Sequence, residues 1–112
     1  MKNILYIILF ICLGLLTNCS KKPKGDPGPN EIWLQYKAFN PGTKSIAVGT
    51  TITFTNKDNA SHWVRANSGL FDSGKINSDN SYSFTFTTAG SYDFTCNYHS
   101  NVTSEHGTIL VQ

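Results

Sequence analysis

Five side chains in the second half of this sequence have types and spacing suited to chemistry: His62, Cys96, His99, Glu105 and His106. His99 follows Cys96 by three residues, and Glu105 and His106 stand immediately before Gly107. A soft sulfur donor with imidazoles and a carboxylate on one loop reads as a metal-ligand set. One cysteine and two histidines suit copper better than magnesium or calcium, which take all-oxygen shells. Zinc is chemically compatible with Cys, His, His and a carboxylate. The other uses of a lone thiol are an inert buried group, a nucleophile or an intermolecular bridge. His62 lies more than thirty residues upstream, after Asn56-Lys57-Asp58-Asn59-Ala60-Ser61, so only folding can carry it to Cys96. No carboxylate pair and no Ser-His-Asp-like arrangement accompanies these residues, and an enzyme is not expected.

The elements that must position them read as strands. Tyr92, Phe94 and Cys96 fall on one face of an alternating run, because strand side chains change sides at every residue. Tyr82, Phe84 and Phe86 do the same in Ser81 to Thr87, and Ile52 and Phe54 in Thr51 to Asn56. Ile32, Leu34, Tyr36 and Ala38 predict a first strand with Trp33 on its opposite face, Ile46 and Val48 a short second one, and Thr108 to Val111 the last. Pro41-Gly42, Gly49-Thr50 and Ala89-Gly90 supply turns. Lys57 to Asn80 is too long and polar to be all strand. It holds a short extended piece at His62 to Ala66 and three apolar residues, Leu70, Phe71 and Ile76, expected to pack back on the body. Short aromatic strands at this spacing predict an all-β, antiparallel-dominated sandwich of seven to eight strands.

The start of the chain has a different character. Residues 1–18 read as a secretion signal: Lys2, then an apolar run from Ile4 to Leu16, shorter than the ~20 residues of a membrane-spanning helix. Leu16-Thr17-Asn18-Cys19 resembles the lipobox of bacterial lipoproteins, which implies cleavage before Cys19 and its acylation, although Asn18 replaces the usual small residue. An uncleaved anchor is the alternative. Residues 19–30 carry Lys21, Lys22, Lys24, Pro23, Pro27 and Pro29 with no core-forming side chain, which is linker composition. The expected location is the cell envelope, the domain being lipid-anchored to a membrane and lying in the periplasm or at the outer surface. Residues 31–112 suffice for one small domain. Cys12 falls in the signal and Cys19 at the lipid site, leaving Cys96 alone in the body. The body carries Lys37, Lys44, Lys57, Arg65 and Lys75 against Glu31, Asp58, Asp72, Asp79, Asp93 and Glu105, a balance that gives nucleic-acid binding no electrostatic support.

These pieces together resemble a known family. Val48-Gly49-Thr50-Thr51-Ile52-Thr53-Phe54-Thr55-Asn56-Lys57-Asp58, then His62, Phe71-Asp72-Ser73-Gly74, Tyr82 to Phe86, and Gly90-Ser91-Tyr92-Asp93-Phe94-Thr95-Cys96-Asn97-Tyr98-His99 are similar to the cupredoxins, within them the plastocyanin and amicyanin type. The resemblance covers nearly the whole body. It implies a Greek-key β-sandwich, one mononuclear copper ion at one end, and one-electron transfer with a redox protein partner. By the same resemblance His62, Cys96 and His99 take the equatorial positions.

The departure concerns the fourth ligand. The family usually places an axial methionine two residues before the glycine that opens the last strand, but the only methionine here is Met1, and Glu105 occupies that place. His106 is the adjacent rival, and a three-coordinate copper with Glu105 in solvent is the remaining alternative. A carboxylate would bind Cu(II) more strongly than a thioether, which implies a lower potential and a green or red site; nitrosocyanin, a red cupredoxin with a glutamate ligand, is the family precedent. A copper-delivery protein without a redox-carrier role is the second functional expectation.

Overall fold

The computed structural model describes residues 25–112; the signal, Cys19 and the first half of the linker lie outside the described residues. Among the described residues the strands are β1 Glu31–Gln35, β2 Ala38–Asn40, β3 Thr43–Ile46, β4 Thr50–Asn56, β5 Val64–Ala66, β6 Ser81–Phe86, β7 Gly90–Cys96 and β8 His106–Val111, with a 3-10 turn at Thr103–Glu105. They form two four-stranded sheets, β2-β1-β4-β6 and β3-β8-β7-β5. The architecture is the all-β sandwich expected from the strand pattern, in the Greek-key form that the family resemblance implied. The β1–β2, β4–β6, β5–β7 and β7–β8 pairings are antiparallel. The β1–β4 and β3–β8 pairings are parallel.

Alternation decides which side chains enter the core. On β4, Ile52 and Phe54 are buried, and on β7 Phe94 and Cys96 share that inward face. Phe54 and Phe94 meet edge to face at 5.4 Å, and Phe39 stacks on Phe94 at 5.4 Å. Each fully buried phenylalanine contributes about 2–3 kcal/mol of transfer free energy, so this ring cluster is a major part of the core beneath the Cys96 end.

Three expectations are corrected. The predicted first strand ends early: Lys37 adopts φ 54, in the left-handed region, so the chain turns between β1 and β2 and Tyr36 is exposed instead of inward. Val48 is likewise exposed, in the turn after β3 where Gly49 has φ 90. Of the three apolar residues in the long loop, Phe71 and Ile76 are buried but Leu70 is not. Trp33, on the opposite face of β1, is also buried, its indole N–H donating to Glu31 Oε1 at 2.8 Å.

Candidate metal centre

The position of His62 follows from strand register. Val64 pairs with Cys96 across the antiparallel β5–β7 ladder. Two residues earlier on the same face, His62 therefore projects inward just beyond the Cys96 end of β7. Its backbone is held there by reciprocal hydrogen bonds with Ile76, His62 N to Ile76 O at 3.0 Å and Ile76 N to His62 O at 2.7 Å. The long loop thus packs back to fix one chemically useful side chain.

Asn56 shapes the approach to His62. It continues the inward register of Ile52 and Phe54, but as a fully buried amide at the end of β4. Its Nδ2 donates to the carbonyls of Ala60 and Ile76 at 2.8 and 3.0 Å, and its Oδ1 accepts from the Asp58 amide at 2.9 Å. That network folds residues 57–61 so that Asp58 Oδ2 stands 3.0 Å from His62 Nε2. With Nε2 engaged, Nδ1 is the nitrogen left for another partner. Asp58 was not among the expected site residues; a carboxylate four residues before a candidate ligand histidine, on the same loop, is the signal that points to it.

The loop after β7 uses a period of three. His99 N donates to Cys96 O at 3.0 Å, Val102 N to His99 O at 2.9 Å and Glu105 N to Val102 O at 3.0 Å. Successive turns of this kind return residues 96, 99, 102 and 105 toward one side, as i and i+3 residues eclipse in tight turns. The hydroxyl of Ser104 donates to the Lys37 carbonyl, strapping this loop to the turn between β1 and β2. Gly107, the next residue but one after Glu105, lies against the Phe94 ring with no room for a Cβ.

Four donors converge as a result. One ligand atom from each of His62, Cys96, His99 and Glu105 lies within 4.8 Å of the others. Cys96 Sγ is 3.7 Å from His99 Nδ1, which is 3.2 Å from both Glu105 oxygens. His62, Cys96 and Glu105 are buried, and the His99 side chain is 43% exposed. His106 is not part of the group. It pairs with Thr95, so it sits on the outer face of its sheet, where its Nε2 is 3.0 Å from the Ser100 carbonyl. Trp63 is half-buried and outside the core, edge-on to Tyr98 at 5.6 Å and donating to Asp72 at 2.5 Å.

The electrostatics favour deprotonated sulfur next to imidazoles. Burial pushes the Cys96 thiol up, but contacts with His62, the backbone near Trp63 and Tyr98, and His99 outweigh it and leave the thiol below its usual range. Burial likewise works against charging His62, yet Cys96 and Asp58 together raise it above the ordinary imidazole value. His99 is raised in the same sense by Cys96 and Glu105, against a desolvation that lowers it.

A copper ion fits this arrangement. His62 Nδ1 is buried without a hydrogen-bond partner, although Glu105 Oε1 is 3.1 Å away. Two polar atoms so close but not aligned as donor and acceptor are what common ligands of one cation look like. An unpartnered buried nitrogen is otherwise costly, by about 1–3 kcal/mol. The set of one sulfur, two imidazole nitrogens and a carboxylate oxygen is a transition-metal set, and among biological metals it suits copper and zinc.

Comparison with known proteins agrees with this fold. A family model described as a cupredoxin-like domain matches residues 5–111. A purple cupredoxin from Nitrosopumilus maritimus is 25% identical, with a TM-score of 0.66 over 73% of this chain and 98% of that one. An oxidised methionine-to-leucine variant of amicyanin shares the fold at 23% identity, TM-score 0.68, over 84% of this chain and 95% of that one. A copper-containing nitrite reductase from Thermus scotoductus SA-01 also shares it, at 24% identity and TM-score 0.64, this chain spanning 24% of that longer one. No curated protein matches at the sequence level.

Proposed function

The chain belongs to the cupredoxin-like domain family, whose cofactor is one copper ion, and from that premise we propose that it is a one-electron carrier in which His62, Cys96, His99 and Glu105 hold the metal. The observation that carries the reading is the convergence of those four donors within 4.8 Å around an unpartnered, buried His62 nitrogen. Bound copper would supply a reversible one-electron change between Cu(II) and Cu(I).

The protein's own residues supply rigidity and a route. Cys96 is fixed by the β5–β7 and β7–β8 ladders and by the packed rings behind it, and close-packed interiors resist displacement. Asp58 and Asn56 hold the His62 ring, and the three-residue turns hold His99 and Glu105. Donors that cannot relax keep the same positions in both oxidation states, so little reorganisation opposes the electron. His99 is the one donor of the four with a substantially exposed side chain, and its ring edge is the exit to a partner. Glu105 brings an anionic oxygen where a thioether is usual, which favours the oxidised state.

Catalysis at the centre is not part of this reading. The signal and Cys19 motif support a lipid-tethered carrier in the cell envelope, its domain in the periplasm or at the outer surface, meeting its redox partner along the membrane. Titration of the protein with Cu(II), followed by absorption, EPR and voltammetry, tests the proposal. An intense thiolate-to-copper band in the visible and a reversible one-electron wave are expected. A copper ion that a weak chelator strips rapidly, with no such band and no wave, would instead indicate a delivery protein.

A further inference from the structure

We propose that the surface around His99 docks a redox protein through an acidic face, a reading that rests on the carrier function. The exposed His99 edge lies between two hollows. One, of about 130 Å³, is walled by Tyr36, Lys37, Ala60 and Val102 along with the inward-facing donors. The other is lined by Ala60, Ser61, Lys75 and Tyr98. Tyr36 is 73% exposed and Tyr98 46%, two large aromatic side chains left at the surface beside the electron exit. Aromatic side chains at the centre of a surface with charges at its rim are the composition of protein interfaces.

The charge at that rim has one sign. Lys37 and Lys75 are exposed, and among the described residues the only acids lining either hollow are Asp58 and Glu105. Both face inward, Asp58 to His62 and Glu105 to both histidines. Asp72, in the loop after β5, is engaged by the Trp63 indole and faces Arg65 at 3.8 Å. The turn that presents Lys37 is strapped by Ser104 to the loop carrying Glu105, and the Lys37 ammonium lies 5.3 Å from the centre of the Tyr36 ring. A cation at the rim steers an approaching anionic surface and favours one orientation of it. Two lysines are too few to hold a lipid surface, which takes a cluster of several, and two hollows each edged by an exposed tyrosine give a protein partner more to bury.

The full-length, copper-loaded chain tests this with small redox probes of opposite charge. The reduced protein gives one electron to hexacyanoferrate(III), which becomes hexacyanoferrate(II), or to the cationic tris(phenanthroline)cobalt(III), which becomes its cobalt(II) form. Between ~10 and ~200 mM salt the rate with the anion should fall severalfold, while the rate with the cation should rise or stay level. Lys37→Glu with Lys75→Glu should lower the anion rate about tenfold at low salt and reverse its salt dependence. Lys44→Glu, the same charge change outside both hollows, should leave that dependence in place. A cation rate that falls with salt, or a double variant indistinguishable from the wild type, overturns the docking surface alone. Failure of both probes to exchange electrons at all overturns the carrier reading beneath it. Binding to vesicles of anionic phosphatidylglycerol that disappears in the double variant would assign the surface to lipid and overturn the acidic protein partner.

Discussion

His62 Nδ1 and Glu105 Oε1 lie 3.1 Å apart, both buried, and are not aligned as a hydrogen bond. The two atoms come from segments far apart in the chain: His62 from the loop between β4 and β5, Glu105 from the 3-10 turn before β8. A pair so placed suits two ligands of one cation.

Replacing Glu105 with glutamine keeps the shape and removes the charge. The Cu(II) form loses an anionic donor, so the reduction potential should rise, on the order of 100 mV, given that 59 mV corresponds to tenfold for one electron. Voltammetry reads the potential, and the visible spectrum should change with it. An unchanged potential and spectrum would remove Glu105 from the centre while leaving the other three donors in place.

Asp58→Ala frees the ring nitrogen that now stands 3.0 Å from its carboxylate. Losing such a partner to a ligand histidine weakens metal binding by about 10–100-fold, and competition with a chelator of known affinity should show it. Asp58→Asn, which keeps an acceptor, should fall between alanine and the wild type. EPR of the alanine variant should broaden, because His62 then samples more than one orientation.

Glu31 offers a stability test away from the metal. Its carboxylate accepts from Thr55 Oγ1 at 2.7 Å, the Trp33 indole at 2.8 Å and the Gly28 amide at 3.1 Å. The Thr55 hydroxyl, against opposing desolvation and with Gly28, Trp33 and Lys57, holds it below the ordinary 4.5. A carboxylate depressed in the folded state stabilises fully above 4.5 and loses that contribution as pH falls through its folded value. Glu31→Gln should therefore cost about 1 kcal/mol near neutral pH, and denaturation curves should show the difference shrinking as the solution is acidified below 4.5.

Gly107→Ala puts a methyl group into the Phe94 ring. Overpacking of this kind costs about 1–3 kcal/mol, which thermal melts of the metal-free protein would register. Phe94 lies two residues before Cys96 on the same face, so the copper spectrum of the variant should shift as well. A melt and a spectrum like the wild type's would mean that the ring moves aside freely.

Much of this was legible in the residues because two local rules are strong. Alternation placed Phe94 and Cys96 on one inward face, and Ile52 with Phe54 on another, and the folded chain agrees. Alternation failed at Tyr36, where Lys37 takes a left-handed conformation that no pattern of apolar residues announces. It was also silent about Asn56, an amide at an inward position whose use depends on the carbonyls of Ala60 and Ile76.

The residue types and the spacing of Cys96 and His99 were enough by themselves to mark a candidate soft-metal loop at the end of a strand, since the two are joined by a short turn whose reach is local. Whether His62 belonged with them, and whether Glu105 or His106 turned inward, depended on contacts between distant segments. The pairing of Val64 with Cys96 delivers the first imidazole, and the pairing of Thr95 with His106 sends the last one outward. Strand register is a long-range quantity, and moving it by a single residue exchanges inside for outside; that is why tertiary structure had to decide it.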